Sequence, residues 1–150
     1  PLQAAMLALF GLLLWAADRF RPAGTATAEP NWRTTLAMGF AQALALVPGV
    51  SRSGVTITAG RTCGLERVSA ARFSFLLATP ITLGAGLLEL HHLSPGVSVP
   101  VVSAGILSSA VVGLFAIRGL LRWLGHAGFG AFFAYRVAFA LVIVATLTRR

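Results

Sequence analysis

The chain has 150 residues, 57% of them hydrophobic and 11% charged, and its net charge of +8 comes from 12 Arg, no Lys and 4 acidic residues. No core of this size hides so much apolar surface, which excludes a water-soluble globular domain and makes lipid the solvent. The Arg residues lie between apolar stretches and not along one face, so positive membrane flanks and anionic headgroups account for them, and nucleic acid is excluded as a partner.

Pro1 opens an apolar stretch with no initiator Met and no positively charged n-region. No signal peptide is read, and the chain is expected to begin partway through a longer protein. Leu2 to Ala17 is uncharged and closed by Asp18-Arg19, which predicts a first spanning helix over about residues 2–17. Arg21 to Arg33, with Pro22, Gly24 and Pro30, reads as a loop.

Thr34 to Val47 is apolar but reaches only about 21 Å as a helix before Pro48-Gly49, and Val55 to Thr62 is shorter still. Two half-length apolar arms around a Pro/Gly/Ser break predict a re-entrant helix-loop-helix hairpin over 34–62. Such a hairpin is allowed at membrane depth where protein or a wet cavity satisfies its backbone. It also returns Arg61, Arg67 and Arg72 to the side of Arg19, Arg21 and Arg33, as the positive-inside rule asks.

Further spans are predicted over about 73–88, with a kink at Pro80 and Ser69 to Arg72 leading into it, then 101–117 and 129–147. The loop from Glu89 to Pro100 holds His91 and His92, which are adjacent, cannot share a helix face, and read as loop histidines and not a metal pair. His126 reads as interfacial, and Glu66 and Arg72 as surface charges at a helix entry. Arg149-Arg150 falls on the wrong side for positive-inside. Cys63 stands alone, so no disulfide framework or thiolate cluster exists, and it is expected as a small buried apolar residue.

The chemistry lies in Pro48-Gly49-Val50-Ser51-Arg52-Ser53-Gly54. An Arg at the middle of a membrane segment costs about 2.5 to 3.5 kcal/mol on translocon scales, so Arg52 at the hairpin tip asks for a partner. No acid is near it in sequence, and a guanidinium fork suits phosphate oxygens. Glycines at both ends let backbone N–H groups turn inward, and an arm beginning near Ser53 adds a helix N-terminus, together an anion nest. The bland readings are a snorkelling Arg52 and Ser51 or Ser53 as helix N-caps. The Gly49 to Gly54 spacing mimics a Walker A loop, but Val55 stands where its Lys belongs and no strand precedes it. Arg136, inside an apolar stretch, reads as functional or paired. Thr56 and Ser74 are placed to line a cavity.

The stretch from Gln42 to Gly54, followed by Ala71-Arg72-Phe73-Ser74-Phe75-Leu76-Leu77-Ala78-Thr79-Pro80, resembles the C-terminal half of the undecaprenyl-diphosphate phosphatase family, also called the bacitracin-resistance protein. The ending, Gly128-Phe129 to Tyr135-Arg136-Val137, is similar to that family's last helix. The resemblance implies an all-α integral membrane fold, one half of an inverted repeat in which two re-entrant hairpins meet, in the bacterial inner membrane. It implies removal of the terminal phosphate of a polyprenyl diphosphate lipid, which recycles the cell-wall carrier. Arg52, Ser51 and Ser53 then match the phosphate-binding, catalytic loop, with Gly49 and Gly54 shaping it, and Val50 is a mild departure from the family pattern. The resemblance leaves room for a divalent cation and for a homodimer.

The family's other hairpin carries a glutamate-rich motif and a Ser-Ser-Thr-Gly-His type segment, and neither occurs in this sequence. Asp18, Glu29, Glu66 and Glu89 all fall at membrane edges or in loops, so no acid is in place to serve as a base and the chain by itself is expected to be inactive. The alternatives are half of an anion-handling secondary transporter or channel, in which broken helices also hold anions, and a purely structural membrane module.

Overall fold

The structure, a computed structural model, describes residues 2–20, 27–91 and 98–148. Its regular elements are helices: α1 Leu2–Arg19, α2 Trp32–Ala41, α3 Arg52–Thr62, α4 Arg67–His91, α5 Val99–His126 and α6 Gly130–Thr148, with a 3-10 segment Gln42–Leu46 after α2. Leu2–Arg19, Arg67–Glu89 and Val99–His126 are long and apolar enough to cross a membrane, and Gly130–Thr146 is a shorter apolar helix. Large apolar side chains cover their outer faces, with Val112 and Phe115 each 67% exposed, a surface that requires lipid or further protein as its solvent.

Several helices run past their expected ends. The first includes Asp18 and Arg19, α4 begins at Arg67 and passes through Pro80 to His91, and α5 carries Arg118 and Arg122 within it. Flanking Arg and Glu have good helix propensity and lengthen a helix beyond its apolar run. The residues Glu89 to His91 are therefore helical, not loop. The side chain of His91, all of His92 and the Arg149-Arg150 end lie outside the described residues, as do Arg21 and Gly24.

The hairpin is built by local signals. Asn31 caps α2, its Oδ1 accepting from the Thr34 N–H at 2.9 Å and from the Thr34 hydroxyl at 3.0 Å. A 3-10 segment replaces the expected continuous helix from Gln42 to Leu46. Val50 N–H then donates to Val47 O at 3.1 Å across Pro48 and Gly49, whose φ of +94° gives a type II turn. At the far end α3 closes in a Schellman motif: Leu65 N–H donates to Gly60 O and Gly64 N–H to Arg61 O, with Gly64 at φ +114°. Cys63 is the cap residue of that turn and is exposed, not buried as its apolar character predicted.

The two open ends of this helix-loop-helix unit meet. Thr27 N–H donates to Gly64 O at 2.9 Å and Glu66 N–H to Thr27 O at 3.0 Å, a single bridge that joins the start of the unit to its end. The two arms press together where Met38, fully buried, lies on Gly60, whose added Cβ would stand 3.0 Å from the sulfur. The remaining core, Leu14, Ile57, Leu65, Ala70, Ala71, Leu124 and Phe129, gathers at the same end of the molecule. The first helix packs along α6 and α3, and Trp15 stacks on Phe133 at 5.7 Å.

That end is held by Asp18, which stands at the edge of the first apolar helix as expected and is buried there. Its Oδ1 lies 3.1 Å from Arg61 Nη2 and 2.7 Å from Arg67 Nε, and its Oδ2 accepts from Phe129 N–H at 3.3 Å, just ahead of α6. Arg61 also donates to Leu65 O at 2.7 Å. One carboxylate thus joins the C-terminal ends of α1 and α3 to the N-terminal ends of α4 and α6. Removing one partner of a buried ion pair typically costs about 3–5 kcal/mol, because the other charge is left uncompensated. Asp18→Asn is expected to lose stability of that order in detergent, read as a lower denaturation midpoint, whereas Glu66→Gln, at an exposed carboxylate, leaves the midpoint in place.

Candidate anion site at the tip of the hairpin

The turn at Pro48-Gly49 aims the chain into α3 with Ser51 as its N-cap. Ser51 is extended, with φ −80° and ψ 123°, and its Oγ accepts from Gly54 N–H at 3.2 Å, so the capping reading holds for this serine. Ser51 Oγ also lies 3.3 Å from Ser53 Oγ. The positive end of α3, with its first free N–H groups, therefore sits at this loop. The position of Gly49 is doubly constrained, since an added Cβ would meet Gln3 O at 2.6 Å in addition to the strain of its positive φ.

Arg52 is the first residue of α3. It is half-buried, and its Nη2 donates to Thr82 Oγ1 of α4 at 3.3 Å, a long bond that occupies one corner of the fork. Thr56 and Ser74 are brought together, 2.6 Å apart and almost fully buried, which couples α3 to α4 directly behind the loop. Thr56 also donates back to Arg52 O at 3.0 Å. The assignment that uses each proton once has Ser74 donating to Thr56, so both hydroxyls hold the first turn of α3 in place.

Arg136 adds a second cation. It is carried by α6 and is 8% exposed; its aliphatic stem lies on Gly11 of α1 and its guanidinium on Gly54 of α3. A Cβ at Gly11 would stand 3.1 Å from Arg136 Cδ, and one at Gly54 would stand 3.0 Å from Nη2 and 3.2 Å from Nη1. Arg136 Nη1 is buried and has no hydrogen-bond partner among the described residues. Nor does a carboxylate pair with Arg136 or Arg52 among them; both ion pairs found converge on Asp18. Two guanidiniums and a helix N-terminus thus share one turn of α3, an arrangement suited electrostatically to an anion.

All of the residues singled out in the sequence, Gly49, Ser51, Arg52, Ser53, Gly54, Thr56 and Ser74, fall on this turn or directly behind it. Arg136 stood 82 positions past Gly54 with its role undecided, and its only signal was a charge inside an apolar run. A divalent cation does not fit these donors. They are guanidiniums and hydroxyls, and among the described residues no group of three or more His, Cys, Asp or Glu is placed to hold a metal. Glu29, Glu66 and Glu89 are exposed, and Asp18 is committed to its own cluster.

A helical chain with apolar helices long enough to cross a membrane and a helix-loop-helix unit packed among them defines a class, that of all-helical membrane proteins. Comparison with known proteins narrows it. The family model described as "Bacitracin resistance protein BacA" matches residues 1–142, and the chain belongs to that family. It is 44% identical over 145 residues to a protein of Pelotomaculum thermopropionicum, covering 97% of this chain and 55% of the relative. A Gemmatimonas aurantiaca protein is 46% identical over 149 residues, covering 98% and 55%, and a Moorella thermoacetica protein 44% over 151 residues, covering 100% and 58%. Each of the three is named "Undecaprenyl-diphosphatase". The chain spans about half the length of these relatives.

The packing of Arg136 on Gly54 makes a specific expectation. The far end of an Arg side chain yields cheaply, so Gly54→Ala should keep the fold and displace the guanidinium. Arginine 15N NMR in micelles is expected to show the Arg136 resonances moved in Gly54→Ala and unmoved in Gly39→Ala, whose added Cβ meets nothing within 4 Å.

Proposed function

We propose that this chain supplies the phosphate-binding half of an undecaprenyl-diphosphate phosphatase, a multi-pass protein of the bacterial inner membrane. The observation that carries the reading is the convergence of Arg52 and the buried, partly unpartnered Arg136 on the first turn of α3. Family membership and the relatives' names favour hydrolysis of a lipid diphosphate over the transporter reading. In this role residues 34–62 dip into the membrane and return. The 11 residues of α3 hold the tip about 16 Å from the Asp18 end, a depth that a headgroup reaches while its polyprenyl tail stays in lipid.

Hydrolysis joins a water oxygen to the terminal phosphorus and breaks its bond to the bridging oxygen, releasing inorganic phosphate and undecaprenyl phosphate. Negative charge grows on the bridging oxygen as that bond breaks. Arg52 and Arg136 bind the phosphate oxygens and stabilise this charge, with the α3 N–H groups contributing in the same direction. Of the hydroxyls of Ser51 and Ser53, which bond to each other, one retains its proton to donate, while Thr56 and Ser74 keep the turn rigid. Activation of the water needs a base. The carboxylates of the described residues are exposed or engaged, so the base comes from the hairpin of the inverted-repeat partner half and the chain alone turns over no lipid.

Loss of one preorganised donor to a developing oxyanion costs about 10² to 10³ in rate, and lysine cannot reproduce a bidentate fork. Arg52→Lys, made at the full length of the relatives, is therefore expected to lose activity by that factor despite its retained charge, and Arg136→Lys to follow it. Ser51→Ala and Ser53→Ala should cost less; a collapse as deep as that of the Arg variants would make a serine the nucleophile. The readout is phosphate release from the lipid diphosphate, with folding checked in detergent, and near-normal turnover by folded Arg52→Lys removes the bidentate role.

The hairpin carries its own expectation. Cysteines placed at positions 33 and 62 should react with a membrane-impermeant thiol reagent from the same face of oriented vesicles; reaction from opposite faces would overturn the re-entrant path.

A further inference from the structure

A charged cleft lies at the opposite end of α3 from the hairpin tip. It offers about 680 Å³ at the Asp18 end, with Trp15 and Arg19 of α1, Arg67 of α4, Trp123 of α5 and Gly130 of α6 on its walls. Among the described residues Asp18 is the one carboxylate on its walls or in this ion-pair cluster, against the guanidiniums of Arg19, Arg61 and Arg67, so the cluster keeps surplus positive charge. Arg67 spends its Nε–H on Asp18, while its Nη groups make no protein hydrogen bond among the described residues, and Nη2 reaches toward Gly128 on the cleft wall. The N-terminus of α6 opens into the same space and adds the positive end of its dipole.

Next to this cleft is a second of about 190 Å³, lined by Trp123, Ala131, Phe132 and Tyr135 and almost wholly apolar. Trp123 and Ala131 form walls of both. Tyr135 lies five residues beyond Gly130 along α6, about 7.5 Å deeper along the helix axis at the rise of an α-helix. A cationic compartment flanked by Trp15 and Trp123 therefore continues into an apolar compartment further along α6.

From this juxtaposition we infer a site for one anionic glycerophospholipid. Its phosphodiester lies against Arg19, Arg67 and the α6 N-terminus, and the start of an acyl chain follows the apolar compartment past Phe132. The surplus positive charge selects an anionic headgroup over a zwitterionic one, whose amine cancels the phosphate charge locally. The apolar compartment selects lipid over free phosphate. The lipid joins the ends of α1, α4, α5 and α6, and the site is separate from the hairpin tip.

Bromine-labelled lipids test the inference by quenching tryptophan. The protein carrying Trp32→Phe retains Trp15 and Trp123 as reporters, both on the cleft walls. In phosphatidylcholine nanodiscs doped with brominated phosphatidylglycerol, quenching is expected to exceed at least twofold that from the same fraction of brominated phosphatidylcholine. Arg19→Gln, which leaves the Asp18 ion pairs intact, is expected to abolish the preference, and Arg19→Lys to keep most of it. Equal quenching by the two lipids, or a preference unchanged in Arg19→Gln, overturns the site. In detergent micelles, displacement of brominated phosphatidylglycerol by millimolar inorganic phosphate would overturn the lipid assignment in favour of free phosphate, and persistence of the quenching supports it.

Discussion

The buried carboxylate of Asp18 is the constraint on which the arrangement depends. Helices in lipid gain little from burying apolar surface against one another, because the tails are as apolar as leucine, so packing and polar contacts must fix their relative positions. Asp18 does this for four elements at once, through Arg61, Arg67 and the Phe129 N–H. The ion pair is not a strong source of net stability, since desolvating three charged groups consumes most of the Coulomb attraction. It confers uniqueness: an alternative docking that separates these groups leaves a charge unpaired in a low dielectric. With α3 and α6 both held at this end, the first turn of α3 and the second turn of α6 are carried to a common place, which is where Gly54 meets Arg136.

Small residues then set the distances. Arg136 lies in α6 between α1 and α3 only because Gly11 and Gly54 present no Cβ to its stem and head. Gly60 serves the same purpose for Met38 between the arms of the hairpin. The two ends of α3 are thus finished differently. At its C-terminal end a Schellman turn and the Asp18 cluster satisfy the carbonyls and the nearby Arg61 guanidinium. At its N-terminal end only Ser51 caps the backbone, and two further cations are added where the dipole is already positive.

Much of this was legible in the sequence because membrane length and helix breaking are local properties. The apolar runs marked α1, α4, α5 and α6, and Pro48-Gly49 with its flanking serines marked the turn at the correct residues. The family resemblance, carried by Gln42 to Gly54 and Ala71 to Pro80, agrees with the match over residues 1–142. What was not legible is what depends on partners distant in the chain. Asp18 reads as an edge charge from its neighbours, and its burial follows from Arg61 and Arg67, more than 40 positions on. Helix limits were drawn too narrowly because hydropathy stops at the nearest charge, whereas α4 begins before its apolar run at Arg67 and α5 runs on through Arg118 and Arg122. Thr56 and Ser74 were read as lining a cavity, and their bond to each other depends on the packing of α3 on α4, which the sequence does not display.

The contrast between the two buried arginines bears most directly on the chemistry. Arg61 has a carboxylate at 3.1 Å and a carbonyl at 2.7 Å, so its charge is answered inside the protein. Arg136 is buried to a similar degree, its Nη1 has no partner among the described residues, and it packs on Gly54, two positions from Arg52 in α3. An uncompensated guanidinium at such a place costs several kcal/mol, and an apolar residue there would be cheaper for folding alone. Stability therefore does not account for Arg136, whereas under the proposed function a bound phosphate would, by returning the Coulomb energy that burial withholds. A phosphate group held as proposed by Arg52 and Arg136 would meet that requirement, and the low dielectric that makes an unpaired guanidinium costly would make such a contact strong.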